Sequence, residues 1–243
     1  METIKIAHLY YDLLNLYGEN GNVKALTKHL EHHNVKVITH FLTVDDPIDF
    51  NKYDIFYIGS GNKENFEIAR EDIMKRKKDI KKIWQEKLFI ATGNGIDLFG
   101  KNFVTLDDKT EKCLDLLHFE ARETDFRIVG ESIAHHENLT NEIIGFQNRF
   151  SVLKNVQEPP LFQMIDGTGH APKIMEEGIM TNNFLGTYLL GPILIRNPHL
   201  TEFIIKKLLE KKELPYQEYQ DFYEIKAYEE YQKNLNANEK AAF

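Results

Sequence analysis

The sequence predicts an α/β fold: a doubly wound, mostly parallel sheet flanked by helices, with antiparallel edge strands. Short apolar runs at residues 4–9, 55–58 and 88–91 are typical of strands that are buried on both faces. Segments of helical length, with apolar residues along one face, separate these runs. Strands that alternate with helices in this way favour parallel pairing through right-handed crossovers.

Length and composition indicate one globular domain with an appended tail. The chain has 243 residues, of which 42% are hydrophobic and 28% are charged. These values are ordinary for a soluble protein that buries one substantial core. We assign residues 1–214 to the α/β domain. Residues 215–243 are predicted to form an aromatic and acidic helical tail that packs on the domain or on a partner.

Charge and cysteine content exclude several classes of protein. The net charge of -8 disfavours binding to nucleic acid and to anionic membranes. The basic stretch at residues 75–82 lies in a helical pattern with the apolar residues Ile73, Ile80, Ile83 and Trp84, so it is interpreted as a solvated helix face. No apolar run approaches the roughly 20 residues that span a bilayer. A single cysteine, Cys113, and the lack of a signal-peptide pattern favour a cytoplasmic protein.

Apolar patterning places the elements of the first half of the chain. We predict strands at residues 4–9, 35–42, 55–58 and 88–91, and helices at 23–33 and 65–85. The loop at residues 10–22 is too long for a simple connection and is a candidate wall of a site.

The second half of the chain has a different pattern of apolar and polar residues. Short alternating segments at residues 103–106, 127–129, 142–146 and 151–153 predict antiparallel strands at an edge or in a second small sheet. A late strand begins at Phe184 and ends near a Gly-Pro turn. A helix at residues 198–212 follows, with its apolar residues on one face.

The stretch at residues 88–100 predicts a strand, a sharp glycine turn and a short helical turn. Gly93 and Gly95 allow backbone angles that a Cβ atom disfavours. Such an elbow presents one residue above the carboxyl edge of a sheet, where α/β enzymes usually hold their nucleophile. This elbow has no cysteine or serine, and Thr92 is its only hydroxyl. The simpler alternative is a glycine turn that lets a helix pack closely on its strand.

Several short motifs, taken together and in order, resemble one family. They are Leu14-Asn15-Leu16-Tyr17 with Gly21-Asn22, then residues 54–61, 98–101, 144–148, 177–179 and 185–194. This series resembles the class I glutamine amidotransferases of the cobyric-acid-synthase type. Within that family it is most similar to the glutaminase subunits of lipid II isoglutaminyl synthase. Those subunits supply ammonia to a Mur-ligase-like partner during peptidoglycan amidation.

The resemblance also implies where the catalytic residues should lie. In that family a cysteine at the elbow attacks the glutamine side-chain amide, and a histidine just before a Gly-Pro turn takes the thiol proton. The cysteine position falls at Gly93 and the histidine position at Leu190, so we predict no autonomous glutaminase activity. The oxyanion and pocket positions fall at Gly59, Ser60, Gly61, Asn94, Gly95, Asn148 and Arg149.

One pocket segment departs from the family pattern. Where the family continues its asparagine with His-Gly-Gly, this chain has Asn148-Arg149-Phe150-Ser151. The arginine and the phenylalanine add bulk and positive charge. We expect Arg149 either to face a carboxylate or phosphate of a different ligand or, more simply, to face solvent.

Other residues with reactive side chains give weaker signals. Cys113 is expected to be a small packed or partly exposed thiol, and Thr92 would stay a neutral alcohol without a base. His29 and His33 share a helix face at a spacing that zinc can use, but no third ligand lies close in sequence. We therefore predict neither a metal nor a cofactor.

Three functional hypotheses follow. The leading one is a catalytically degenerate glutaminase-like subunit that keeps its fold in order to bind a Mur-ligase-like synthetase. The second is a functional glutaminase-type subunit whose site is rearranged or completed by its partner. The third is a small-molecule binding module that uses the altered pocket. The sequence leaves homo-oligomerisation open.

Overall fold

The computed structural model describes residues 2–241, which form two sheets and the helices around them. The strands of the first sheet are β1 (Thr3–Leu9), β2 (Lys36–Leu42), β3 (Ile55–Ile58), β4 (Leu88–Thr92), β11 (Ile179–Met180) and β12 (Phe184–Thr187). The helices are α1 (Asn20–His32), α2 (Lys63–Lys75), α3 (Lys77–Ile83), α4 (Ile193–Arg196), α5 (Pro198–Lys211) and α6 (Phe222–Ala241).

The first sheet confirms the predicted fold class. Its strand order is β11-β12-β4-β3-β1-β2, and all neighbours are parallel except the short edge strand β11. Alternate residues of each strand enter two different cores. Phe56 and Ile58 pack on the side of α2 and α3, whereas Ile55 and Tyr57 pack on the side of α1 and α5. Helices on both faces explain why these strands read as continuous apolar runs.

The antiparallel strands predicted for the second half of the chain belong to a second sheet of six strands. Its strands are β5 (Asn102–Val104), β6 (Thr110–Lys112), β7 (Glu120–His135), β8 (Ile143–Lys154), β9 (Phe162–Asp166) and β10 (Glu176–Glu177). The pairs are antiparallel apart from β5 with β7. Three of the short predicted segments lie within the long β7–β8 hairpin. The register of the β7–β8 pair shifts between Glu123 and Ile128, and the two strands stay paired on both sides of the shift. The sequence pattern therefore predicted several short strands where the structure has one long hairpin.

The prediction of a single helix at residues 65–85 is wrong. The helix is broken at Arg76, which has φ -98° and ψ 0°, so that α2 ends and α3 begins. Arg76 is also held by its own helix, because its Nε donates to Asp72 Oδ2 at 3.0 Å. The break brings Ile80 and Ile83 of α3 into the same core as Ile73 of α2.

The tail, predicted at residues 215–243, contains α6 and lies beside α1 and α5. Residue 1 of the predicted α/β domain and residues 242 and 243 of the predicted tail lie outside the described residues. Within residues 2–241, no helix combines the length and the apolar character that a membrane crossing requires.

Candidate functional site

Three neighbouring strands of the first sheet bring the predicted catalytic positions together. Ser60 follows β3, Gly93 follows β4, and Leu190 lies shortly after β12. Because these strands are parallel, their carboxyl ends meet at one edge of the sheet. We call Ser60, Gly93 and Leu190 the elbow cluster.

Gly93 has the backbone of an elbow and no space for a side chain. Its φ of +56° lies in the left-handed region that favours glycine. A Cβ atom built on Gly93 would overlap the Ser60 side chain and would lie 2.9 Å from Leu190 Cδ2. Ser60 and Leu190 therefore fill the volume that a side chain at this position would need.

Asn94 ties the elbow to the glycine turn after β3. Its Oδ1 accepts hydrogen bonds from Gly61 N at 3.0 Å and from Ser60 Oγ at 3.1 Å, and its Nδ2 donates to Gly61 O at 2.9 Å. Its backbone N–H points to Ser60 Oγ at 3.4 Å. An oxyanion hole needs donors that are aimed at the reacting atom. Here the backbone donors of Gly61 and Asn94 are engaged inside the protein.

The loop after β1 lies directly on this turn, as a site wall would. Leu16 N donates to Ser60 O at 2.9 Å. A Cβ atom on Gly59 would overlap the carbonyl oxygen of Leu14, and one on Gly95 would overlap the carbonyl oxygen of Gly59. Glycine is required at these positions because backbone meets backbone.

The structure places Asn148 and Arg149 side by side on β8, with Asn148 partly exposed and Arg149 buried. Asn148 Oδ1 accepts from Arg127 Nε at 3.1 Å on the β7–β8 hairpin. The expectation that Arg149 faces a ligand or solvent is wrong, since the residue is only 2% exposed. Its guanidinium donates to the carbonyl oxygens of Gly169, His170 and Ser151, so its donors are already used.

Below the elbow cluster lies a set of buried polar side chains that the sequence analysis missed. We call Asp97, Arg149, Ser151, Glu177 and Tyr188 the buried polar network. Asp97 accepts from Ser151 Oγ at 2.6 Å and from the Tyr188 hydroxyl, and the Arg149 guanidinium lies 3.9 Å from the centre of the Tyr188 ring. Glu177 accepts from Tyr188 N and from Thr187 Oγ1, each at 2.7 Å.

The two carboxyl groups of this network, Asp97 and Glu177, have raised pKa values. Burial raises the pKa of Asp97 to about 7, against the hydrogen bonds from Ser151 and Tyr188 that lower it. Burial likewise raises the pKa of Glu177 to about 7. No local sequence pattern could have revealed this network, because its members come from four separate parts of the chain.

Thr92, the hydroxyl considered as a substitute nucleophile, belongs to a second buried group. Its Oγ1 donates to Glu19 Oε2, which also accepts from the Tyr57 hydroxyl at 2.6 Å. Burial raises the pKa of Glu19, against hydrogen bonds from Thr92 and Tyr57. All three side chains are fully buried, so the Thr92 hydroxyl supports the fold rather than facing the elbow cluster.

The remaining candidate groups do not form a reactive pair. Cys113 is buried, and this burial raises the pKa of its thiol to about 12, so it is a neutral thiol at pH 7. His29 of α1 lies between the carboxylates of Glu202 and Glu224. Among the described residues, no group of three or more His, Cys, Asp or Glu side chains has the arrangement of a metal site.

Comparison with known proteins identifies the family. The profile of the CobB/CobQ-like glutamine amidotransferase domain matches residues 5–198. The chain is 30% identical over 212 residues to the Streptococcus pneumoniae lipid II isoglutaminyl synthase (glutamine-hydrolyzing) subunit GatD, covering 86% of this chain and 82% of that protein. It is 29% identical over 225 residues to the Staphylococcus aureus subunit of the same name, covering 89% of each.

A solved structure gives the same result for the fold alone. A crystal structure described as glutamine amidotransferase superposes with a TM-score of 0.57 at 15% identity, covering 84% of this chain and 98% of that one. The sequence match, the sheet order and the elbow after β4 agree. The chain therefore belongs to the CobB/CobQ-like glutamine amidotransferase family.

Proposed function

We propose that this chain is a catalytically inactive glutamine amidotransferase-like subunit that partners a Mur-ligase-like synthetase in cytoplasmic lipid II amidation. The elbow cluster carries this proposal. At the place where the family's chemistry requires a thiolate and an imidazole, the chain has Gly93 and Leu190, and Ser60 fills the space between them. The cluster therefore offers neither a nucleophile nor a proton carrier.

The chemistry of amide hydrolysis makes this loss decisive. A carboxamide is a weak electrophile, so its hydrolysis requires an activated nucleophile and a base within hydrogen-bond reach. Ser60 Oγ is buried and donates to Asn94 Oδ1, which is an amide oxygen and not a base. The synthetase would then use ammonia from solution rather than ammonia released by this subunit.

Two observations support a role as a subunit rather than as a small-molecule binding module. The similarity extends over most of the length of relatives that are named as subunits of a synthase. The elbow cluster is also closed: Ser60, Leu190 and Asn94 are at most 3% exposed. A binding module would need an open pocket with convergent polar groups at this place.

The proposal is tested by reconstituting the chain with the Mur-ligase-like synthetase of the same organism. Lipid II and ATP are supplied with either glutamine or ammonium chloride, and amide formation is followed by mass spectrometry. We expect amidation with ammonium only. Ammonia release from glutamine should lie about 10⁵- to 10⁶-fold below that of the Staphylococcus aureus GatD complex, the positive control.

Two results would overturn the proposal. Amidation that depends on glutamine in the complex would favour a site completed by the partner. Failure of the chain to bind the synthetase in size-exclusion chromatography would remove its role as a subunit, because the fold alone would then have no place in the complex.

A further inference from the structure

His29 of α1 lies between two carboxylates that belong to two other elements. Its Nδ1 is 2.6 Å from Glu202 Oε1 of α5, and its Nε2 is 2.9 Å from Glu224 Oε2 of α6. The side chain is 2% exposed. The three residues come from distant parts of the sequence, so this contact joins the tail to the domain.

Both carboxylates are otherwise occupied by donors. Glu202 Oε2 accepts from the Tyr216 hydroxyl at 3.0 Å, and Glu224 Oε1 accepts from Lys28 Nζ at 2.8 Å. An imidazolium has two N–H groups and satisfies both carboxylates, whereas a neutral imidazole has one N–H and would turn a lone pair towards the second. Two carboxylates in hydrogen-bond contact with one ring thus favour a positively charged His29.

The segment held by this contact is residues 216–232, which we call the strap. Near His29, Lys28 Nζ also donates to Asp221 Oδ2 at 2.9 Å, and Asp221 Oδ1 caps α6 by accepting from Tyr223 N at 2.9 Å. At its far end the strap is held by polar contacts, including Tyr228 OH to Glu142 O at 2.8 Å. Phe222 and Tyr223 are largely exposed, whereas Tyr228 is buried and packs edge-to-face on His199.

The strap forms one wall of a cleft of about 470 Å³, whose other walls are α5 and the loop around residues 138–141. His199, Phe203 and Lys206 line it on the domain side, and Tyr216 and Tyr219 line it on the strap side. The cleft is already partly open to solvent, and movement of the strap would widen it.

We propose that the strap is a proton-dependent latch, closed by the His29 imidazolium between Glu202 and Glu224 and released when His29 loses its proton. Removal of the proton leaves Glu202, Glu224 and Asp221 with Lys28 as the nearest cation bound to the strap. It also replaces one hydrogen bond with a repulsive contact between a lone pair and a carboxylate. The latch does not depend on the proposed function of the elbow cluster.

The direction of the pH dependence follows from the shift of His29. Burial lowers the pKa of His29, but its bonds to Glu202 and Glu224 outweigh burial and raise the pKa above the ordinary value. A group whose pKa is raised by folding stabilises the closed state fully below its unfolded pKa. It loses that effect as the pH rises through the folded pKa. The strap should therefore open towards alkaline pH.

The other titratable side chains around His29 are Lys28, Tyr216, Tyr219, His32 and His33, and His33 Nε2 lies 3.6 Å from Glu202 Oε2. Burial raises the pKa of both Tyr216 and Tyr219, and hydrogen bonds to Glu224 and Asp221 raise the pKa of Lys28. Burial lowers the pKa of His33, whose ring stacks on Tyr216 with centroids 5.1 Å apart. His32 is exposed and stacks on Tyr219 with centroids 3.8 Å apart.

The latch is tested by hydrogen exchange of the full chain between pH 6 and pH 9, with rates corrected by unstructured peptides of the same sequence. We expect protection of residues 216–232 to fall with rising pH, about tenfold for each unit by which folding raises the pKa of His29. α2 lies on the other face of the sheet and reports any pH dependence of global unfolding, so the strap should lose protection beyond the loss that α2 shows.

Three variants sharpen the test. Glu224→Gln places an amide N–H opposite Nε2, which a neutral imidazole can accept, so the strap should stay protected at pH 9. His29→Gln should give an exchange rate that does not depend on pH. His32→Gln is the matched control, since this histidine touches the strap without binding a carboxylate, and it should behave like the wild type.

Several outcomes would overturn the latch. They are constant protection of the wild-type strap from pH 6 to pH 9, release of the Glu224→Gln strap at the same pH as the wild type, or loss of the pH dependence in His32→Gln. Because Glu224→Gln and His32→Gln change partly exposed side chains, the test survives even if His29→Gln fails to fold.

Discussion

The elbow cluster and the buried polar network lie next to each other and have opposite chemical character. In the elbow cluster, a glycine, a serine and a leucine fill the space, and none of them titrates near neutral pH. In the network, Asp97, Glu177 and Arg149 are almost completely buried and fully hydrogen-bonded. Buried polar groups are costly unless paired, so a complete network indicates a structural requirement.

This contrast teaches that the elbow cluster, which holds the predicted catalytic positions, and the buried polar network, which fixes their geometry, are separate parts of the site. Asp97 lies in the turn that contains Gly93, and Tyr188 lies two residues before Leu190. The hydrogen bond between Tyr188 and Asp97 therefore ties the two predicted catalytic positions together. Four predictions test how far the two parts are independent.

The largest effect is expected from breaking the network at Arg149. Arg149→Met removes the donors to three buried carbonyl oxygens and leaves Asp97 and Glu177 without their nearest cation. We expect the free energy of unfolding to fall by about 3–5 kcal/mol in urea titrations. Arg127→Met, on the exposed part of the same hairpin, is the matched control and should change it by less than about 0.5 kcal/mol. Equal effects would contradict a special role for Arg149.

A smaller loss is expected from adding a methyl group to the elbow. Gly93→Ala combines a left-handed backbone with overlap against Ser60, so the free energy of unfolding should fall by about 1–3 kcal/mol. Ser60→Gly removes the overlapping atoms. In a double-mutant cycle the two changes should couple favourably by at least about 0.5 kcal/mol. Simple additivity would mean that strain, and not Ser60, excludes a side chain.

The network should also give the protein a distinctive pH dependence. Folding raises the pKa of Asp97 from its ordinary value of 3.8 to about 7, so the folded state binds the proton more tightly. Its contribution to stability is complete below about pH 4. That contribution is lost as the pH rises to about 7, with a slope of at most about 1.4 kcal/mol per pH unit. Asp97→Asn should reduce the slope in urea titrations at pH 5, 6, 7 and 8, and Glu177, whose pKa burial also raises to about 7, should supply the remainder. An unchanged slope would assign the pH dependence to other groups.

The smallest effect is expected at Cys113, the only thiol of the chain. Cys113→Ala should cost about 1 kcal/mol and should leave the ammonia release of the complex unchanged. In the native protein at pH 8, alkylation by iodoacetamide should be at least about a hundredfold slower than in urea, since burial raises the thiol pKa to about 12. Fast native alkylation would show that the thiol is available for chemistry.

The sequence by itself determined the parallel sheet and the glycine elbow after β4. Strands that are buried on both faces are recognisable as apolar runs, because both faces must be covered. The order of the motifs predicted that Gly93 and Leu190 lie at one site, and a Cβ atom on Gly93 would lie 2.9 Å from Leu190 Cδ2. These features are local in the chain, or repeat along it, so they can be read from the order of residues.

Only the tertiary structure decided what each polar side chain does. Arg149 looked like a ligand-binding or solvent-facing residue, yet its partners at residues 151, 169 and 170 come from β8 and from the loop after β9. The spacing of His29 and His33 was a weak indication of a metal site. In the structure His29 instead contacts Glu202 of α5 and Glu224 of α6. The pairing of a buried polar group depends on segments that are distant in sequence and meet only after folding, which is why no local pattern records it.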